Sequence, residues 1–309
     1  MRPLRRGWIL LAGGLFLLAA AVAVADEPPD QGYRRIVSLY GAHTENLLAL
    51  GAKARLIGID GQSTDLPGAA DKPVFSYHDD PERFLAARPD LVLIRPMIAR
   101  GYPQLVQRLE QSGIAVVSLQ PTTADELPGY WLRLGRLSGK EAAARDMQRR
   151  FARAVDGFRS LARQVQRPQR VYFEAIHDKM KTFAPQAMAI FALEATGGIN
   201  VAADAPVRPH NNIAVYGKER LLAHAADIDV LLSQQGAMNR ISVAQIMAEP
   251  GFGVIRAVKQ GRVFLIDEKL VSRPTLNLLS GIYRIGCLLY PDIYREAGRS
   301  ILAEAGGDE

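Results

Sequence analysis

"DPERFLAARPDLVLI" (residues 80–94) and "GKERLLAHAADIDVLL" (residues 217–232) say nearly the same thing twice in one chain. Each carries an acidic residue, an arginine, two apolar residues and an alanine at helical spacing, then leads through aspartate into an apolar run. The first part reads as a helix and the run as a buried strand. Aligning Glu82 with Glu219 also pairs Arg83 with Arg220, Leu85 with Leu222, Ala86 with Ala223 and Asp90 with Asp227. A helix-to-strand unit used in both halves points to an α/β protein with two similar lobes.

Working outward, the same alternation continues on both sides. In the first half, "RRIVSL" reads as a strand, "TENLLALGA" as a helix with Thr44 at its N-cap, and "RLIGID" as a strand. After the quoted unit come the helix "YPQLVQRLEQSG" and the strand "IAVVSL". A second series starts with the strand "RVYFEAI" and the helix "QAMAIFALEATGG". It runs through the repeated unit to the strand "GRVFLID" and a closing helix from Leu276 to Leu289. Strand and helix alternating in this way predict mainly parallel sheets.

Between the halves, from Thr123 to Gln166, no strand signal appears. "KEAAARDMQRRFARAVDGFRSLARQVQ" is rich in strong helix formers and stops before Pro168. Such a rod would be about 40 Å long. Phe151, Val155, Phe158 and Leu161 form one apolar stripe, so the helix reads as a packed connector with a solvated basic face. The expected organisation is a leader over 1–25, an N-terminal α/β lobe over 26–122, a helical linker over 123–167 and a C-terminal α/β lobe over 168–309. The ligand cleft lies between the lobes.

The leader rests on Arg2, Arg5 and Arg6 ahead of an apolar run from Trp8 to Val24, followed by Ala23-Val24-Ala25 as a cleavage pattern. Its removal takes away three arginines and no acids, so the formal charge drops from +6 to +3. Nucleic-acid binding therefore has little support. Cys287 is the one cysteine of the 309 residues, which excludes an intramolecular disulfide and a thiolate cluster. It is also far from the cleavage site, where a lipid-anchored protein needs it. A soluble periplasmic monomer is expected.

Five stretches in order resemble one family. "RIVSLYGAHTENLLALGAKARLIGID", "ERFLAARPDLVLI", "KERLLAHAADIDVLL", "AVKQGRVFLID" and "SRPTLNLLSGIYRIGCLLYP" are similar to the periplasmic substrate-binding proteins of ABC importers for iron-siderophores, haem and cobalamin. One departure is Gly41, where the family often has proline after the first strand. The resemblance implies two lobes joined by one helix, no catalysis, no resident cofactor, and a permease dimer as partner. It further implies that Glu82 and Glu219 dock onto arginines of the two permease subunits. A plain alternative is that each glutamate suits the positive end of its helix.

Enzyme signatures are poor. There is no G-x-S-x-G and no H-E-x-x-H, "GRLSGK" misses the Walker spacing, and "GFGVIR" lacks a third glycine. A chelatase-like enzyme stays as a minor alternative, since such enzymes also place histidines between two α/β lobes.

Loops that follow strands nominate the ligand contacts: Tyr40, His43, Tyr77, His78 and Arg95 from one lobe, and His177, Arg208 and His210 from the other. His224 reads as structural, Glu45 as a helix cap, and Tyr283 and Tyr290 as core. Tyrosine and histidine can ligate metal or stack on a chelate, and arginine offers forked donors to anionic oxygens. The mixture suits an iron(III) chelate. Cobalamin, haem, a free metal ion and a molybdate-like oxyanion are the alternatives, and whether any of these residues ligates metal directly stays open.

Overall fold

The computed structural model describes residues 29–208 and 211–306. The leader read over 1–25 and His210 lie outside the described residues. In chain order the first lobe contains β1 (Ile36–Ser38), α1 (Gly41–Ala49), β2 (Leu56–Asp60), β3 (Val74–Phe75), α2 (Pro81–Ala87), β4 (Leu91–Ile94), α3 (Pro96–Gly101), α4 (Pro103–Gln111) and β5 (Ala115–Ser118). Its five strands run in the order β3-β2-β1-β4-β5, every pair parallel. Burial on both faces explains why β1 and β4 read as unbroken apolar runs.

The connector is two helices. α5 (Leu127–Leu137) packs on α6 (Glu141–Ala162), with Ser138 to Lys140 forming the turn between them. The 22 residues of α6 span about 33 Å. Phe151, Val155, Phe158 and Leu161 are all buried, as the stripe predicts. Its arginines serve the solvated face: Arg145 pairs with Glu141, and Arg149 and Arg150 both pair with Asp146.

The second lobe contains β6 (Arg170–Ile176), β7 (Lys181–Phe183), α7 (Met188–Ala195), β8 (Ile199–Asn200), β9 (Ile213–Val215), α8 (Lys218–Ala223), β10 (Val230–Gln235), α9 (Val243–Ala248), α10 (Arg256–Lys259), β11 (Val263–Asp267), α11 (Glu268–Val271), α12 (Leu278–Leu289) and α13 (Pro291–Glu304). Its sheet runs β11-β10-β6-β7-β9, with β8 alongside β6. β7 lies antiparallel to β6 and β9, so this sheet is mixed. β7 and β9 have only three residues each, too short to show a period in sequence.

Three apolar cores hold the architecture. One lies on the outer side of the first sheet around Phe75, Phe84, Val92 and Ile98, and one on the outer side of the second around Tyr172, Leu221, Leu231 and Phe252. The third runs through both lobes: Ile36, Leu47 and Leu93 join Trp131, Met147, Phe151 and Phe158, which continue into Phe173, Leu193, Ile282 and Tyr294. The connector is therefore the shared wall of both lobes. Any hinging between them has to shear buried apolar surface, at a cost of roughly 25 cal/mol for each Å² exposed.

Candidate functional site

Parallel strands aim their C-terminal ends at a common edge, where Asp60 ends β2 and Tyr40 and Arg95 lie just beyond β1 and β4. A cavity of about 290 Å³ opens at that edge, lined by Tyr40, Asp60, Gln62, Tyr77, Arg95 and Met97 among others. Three of the residues nominated from sequence, Tyr40, Tyr77 and Arg95, thus meet in one cavity. The guanidinium of Arg95 lies over the Tyr40 ring, 4.8 Å from its centroid. Its Nε is buried without a hydrogen-bond partner. Burial pushes the Tyr40 phenol up from its ordinary value, while Arg95 and Arg273 pull it back.

His43 is placed differently from the sequence expectation. It is fully buried inside α1, with Nδ1 2.7 Å from the Tyr130 hydroxyl and Nε2 3.0 Å from the Ile94 carbonyl. Both ring nitrogens are spent, and burial lowers its pKa to about 4. It braces Tyr40 edge-on, at 5.1 Å between ring centroids, instead of facing a ligand. The cause is the start of α1 at Gly41, four residues earlier than a Thr44 cap predicts, which turns His43 inward. Thr44 instead donates to Ser38 Oγ across the strand end.

His78 also departs from expectation. It packs against Tyr77 with the ring planes tilted by 45° and contacts the Tyr102 hydroxyl through Nδ1 at 3.1 Å, and it lines a separate groove of about 740 Å³ with Glu82 and Arg108. Tyr77 lines both spaces.

In the second lobe His177 is 5% exposed and bound on both sides. Its Nδ1 meets Glu174 Oε1 at 2.9 Å, and its Nε2 lies 3.5 Å from Glu249, which accepts from Lys218 at 2.6 Å. The Glu174 hydrogen bond raises the His177 pKa against the opposing effect of burial. This histidine closes an internal network and is not an open ligand. Arg208 is exposed in a turn, bridged to Asn211.

Sequence reading missed Arg273 and Asp60. Arg273 stands in the "SRPTLNLLSG" stretch between α11 and α12 and reaches the first lobe: a Cβ on Gly41 would lie 3.2 Å from its Nη1. Nearby, Asn46 Nδ2 donates to the Pro274 carbonyl at 2.8 Å and Asn277 donates to Glu45 at 2.5 Å, so α1 is tied to the second lobe. Glu45 is therefore a contact between lobes and not a helix cap. Asp60 was detectable, since it ends the strand "RLIGID" at the same edge as Tyr40. Arg273 lies in an irregular turn of the other lobe, and no periodicity marks such a residue. Tyr283 and Tyr290 are buried as expected.

Glu82 and Glu219 occupy the same second position of α2 and α8, both exposed. Arg83 and Arg220 repeat one arrangement: Arg83 lies over Phe75 and pairs with Asp79, and Arg220 lies over Tyr216 and pairs with Asp204. The repeated arginines thus clamp each helix to the strand before it. Among the described residues, no group of three or more His, Cys, Asp or Glu could hold a metal ion, and no helix is long and apolar enough to cross a membrane.

Comparison with known proteins agrees with this architecture. A cobalamin-binding protein of Halobacterium salinarum is 27% identical over 277 residues, covering 86% of this chain and 70% of that protein. An uncharacterized ABC transporter substrate-binding lipoprotein of Bacillus subtilis is 21% identical over 291 residues, 89% of this chain and 84% of that protein. A possible iron-binding periplasmic solute-binding protein of Staphylococcus epidermidis superposes with a TM-score of 0.72 at 24% identity, covering 84% of this chain and 99% of that one. The periplasmic binding protein family profile matches residues 36–270, so this chain, with its two α/β lobes and a cavity at the strand ends, belongs to that family.

Proposed function

We propose that the protein is the substrate-binding component of an ABC importer, working outside the cytoplasmic membrane, that captures an iron(III) chelate and hands it to a permease dimer. Arg95 carries this reading: an arginine with a buried unpartnered Nε, lying on a tyrosine in a cavity at the strand ends, calls for an anionic oxygen ligand. Tyr40 and Tyr77 add an aromatic wall for a chelate. Glu82 and Glu219, on matching helices of the two lobes, are the proposed contacts to the permease, and opposite charges there would fix orientation. Arg208 and His210 are proposed ligand contacts from the second lobe. His43 and His177 have no free ring nitrogen for that role.

Cobalamin is the second reading, favoured by the cobalamin-binding relative. The test is a titration of purified protein with ferric citrate, a ferric tricatecholate, haemin and cyanocobalamin, followed by fluorescence quenching of Tyr and Trp. Tight, unmodified and reversible binding of an iron chelate is expected. Binding of cyanocobalamin alone replaces the ligand, and turnover of a tetrapyrrole with metal replaces the transport reading with an enzyme.

A further inference from the structure

A second cavity, of about 810 Å³, lies in the second lobe beside the edge strand β11 and shares no lining residue with the Tyr40 cavity. Its floor is apolar, made by Leu265 of β11, Leu270 of α11 and Leu288 of α12, each half-buried. Its rim is basic: Arg284 stands on α12, and Arg295 and Arg299 stand one turn apart on α13, all three exposed. The buried Tyr283 joins the two helices behind this rim. Its hydroxyl donates to the Arg295 carbonyl at 3.4 Å and accepts from Arg299.

The three guanidinium groups converge on one point, the half-buried Cys287 thiol. Burial raises this thiol above its ordinary value, while the Tyr283 hydrogen bond and the charges of Arg295, Arg299 and Arg284 draw it back. Their own charge is left uncompensated at the cavity. Asp267 is the one acid among the lining residues, and its Oδ1 accepts from the Lys269 N–H as the cap of α11. Arg284 and Arg295 enter no ion pair among the described residues. Like charges one turn apart on a helix repel by about as much as an opposite pair gains, so an anion between Arg295 and Arg299 relieves the repulsion.

We propose that this cavity is a second ligand site, outside the cleft between the lobes, for an amphipathic organic anion: a phosphate or carboxylate head among Arg284, Arg295 and Arg299, and an apolar body on Leu265, Leu270 and Leu288. Guanidinium forks suit carboxylate and phosphate oxygens. A concave apolar wall with a few converging polar groups is also the general form of a small-molecule pocket. A lipid surface fits less well, because membranes are gripped by apolar side chains that reach past the charges, and here the leucines lie beneath the arginines. The occupant is separate from any chelate held at Tyr40 and Arg95.

Cys287, the single cysteine of the chain, reports occupancy at the site itself. Its labelling by N-ethylmaleimide is followed in purified protein with decyl phosphate, decanoate, decyl maltoside and inorganic phosphate, the amphiphiles kept below micelle formation, beside equilibrium dialysis of the same probes. Decyl phosphate or decanoate should slow labelling. Inorganic phosphate and neutral decyl maltoside, each with half of the recognition, should need a concentration about tenfold or more higher for the same effect. Arg284→Ala and Arg295→Ala, each compared with its own unliganded rate, should weaken the better anion by about tenfold, the loss of a charge-assisted hydrogen bond, and Arg295→Lys should lose less than Arg295→Ala. Melting temperatures without ligand should hold, because both arginines are exposed and unpaired. Protection as strong from decyl maltoside, unchanged affinity in both alanine variants, or dialysis binding that leaves Cys287 unprotected would overturn the proposal, as would the absence of binding by either anion. Arginine-dependent sedimentation with phosphatidylglycerol vesicles, without protection by the soluble anions, would overturn it in favour of a lipid surface.

Discussion

Asp90 and Asp229 hold the same station in the two halves of the molecule. Asp90 accepts the backbone N–H groups of Arg34 and Arg35, each at 2.8 Å, and its own N–H reaches the Arg35 carbonyl. Asp229 accepts from the Arg170 N–H at 2.9 Å, and its N–H reaches the Arg170 carbonyl. Each aspartate thus pins the start of one strand to the start of its neighbour. Alignment from the glutamates pairs Asp90 with Asp227, two residues too early. α2 stops at left-handed Arg88, whereas the second copy inserts two more residues after α8.

The first prediction separates the two aspartates. Asp229→Ala strands a strand-start N–H and the partly buried Arg256, and should lower unfolding free energy in urea by about 1–3 kcal/mol. Asp227 is exposed, with only a long 4.0 Å contact to Arg170, so Asp227→Ala should change stability by less than about 0.5 kcal/mol. A larger effect at Asp227 would support the register inferred from sequence, and equal effects would remove the special role given to Asp229.

Docking gives the second prediction. Glu82 is ion-paired with Arg108 at 2.8 Å across exposed surface, whereas no ion pair holds Glu219 among the described residues. Reversing both glutamates to lysine should abolish uptake of iron chelate by cells while leaving ligand affinity in solution within about twofold, as the pair lies outside the Tyr40 cavity. An exposed pair is worth about 0–1 kcal/mol, so the melting temperature should barely change. Undiminished uptake in the double variant rules out these contacts.

The third prediction concerns two buried histidines that titrate in opposite senses. His43 has its folded pKa depressed to about 4 by burial, so its contribution is complete above about 6.5 and is lost as pH falls towards 4. That loss is on the order of 3 kcal/mol over the interval. His177 has its folded pKa raised by Glu174, so its contribution is present below about 6.5 and fades as pH rises through the folded pKa. Urea unfolding across pH should show a shallower acid limb in His43→Leu and a shallower alkaline limb in His177→Gln. Parallel profiles for both variants and wild type would refute the assignment.

Much of the fold was legible because it is written in period. β6 and β10 are buried runs and β11 an apolar one, and α6 carries one apolar stripe along its length. What escaped was short or tertiary. β3 has two residues, and β7 owes its antiparallel direction to pairing and not to its own sequence. The site was half legible for the same reason. Residues within two positions of a parallel strand's end, Tyr40 and Arg95, could be nominated from strand ends alone. The orientation of His43 depended on where α1 begins, a matter of one helical turn, and Arg273 depended on how the other lobe docks.

The fourth prediction asks what Arg95 is for. A buried guanidinium nitrogen left unpaired costs about 1–3 kcal/mol when desolvated. Arg256 also has such an Nε, but its guanidinium is held by Asp229 at 2.7 Å, whereas among the described residues no ion pair holds Arg95 at the cavity. The Arg95 Nε is in that state, and its visible compensation is the Tyr40 ring, worth about 0.5–2 kcal/mol as a cation-π contact. A residue retained for stability would give a different balance. Arg95→Met keeps most of the apolar stem against Tyr40 and removes the unsatisfied polar group, so its melting temperature should equal or exceed that of wild type. Affinity for the best iron chelate should nevertheless drop by about tenfold to a hundredfold, the share of one or two charge-assisted hydrogen bonds. Raising ionic strength should weaken wild-type binding more steeply than that of Arg95→Met, because the variant has lost one of the charges that salt screens. A variant that melts markedly lower and binds as well as wild type would make Arg95 a structural residue and empty the cavity of its proposed role.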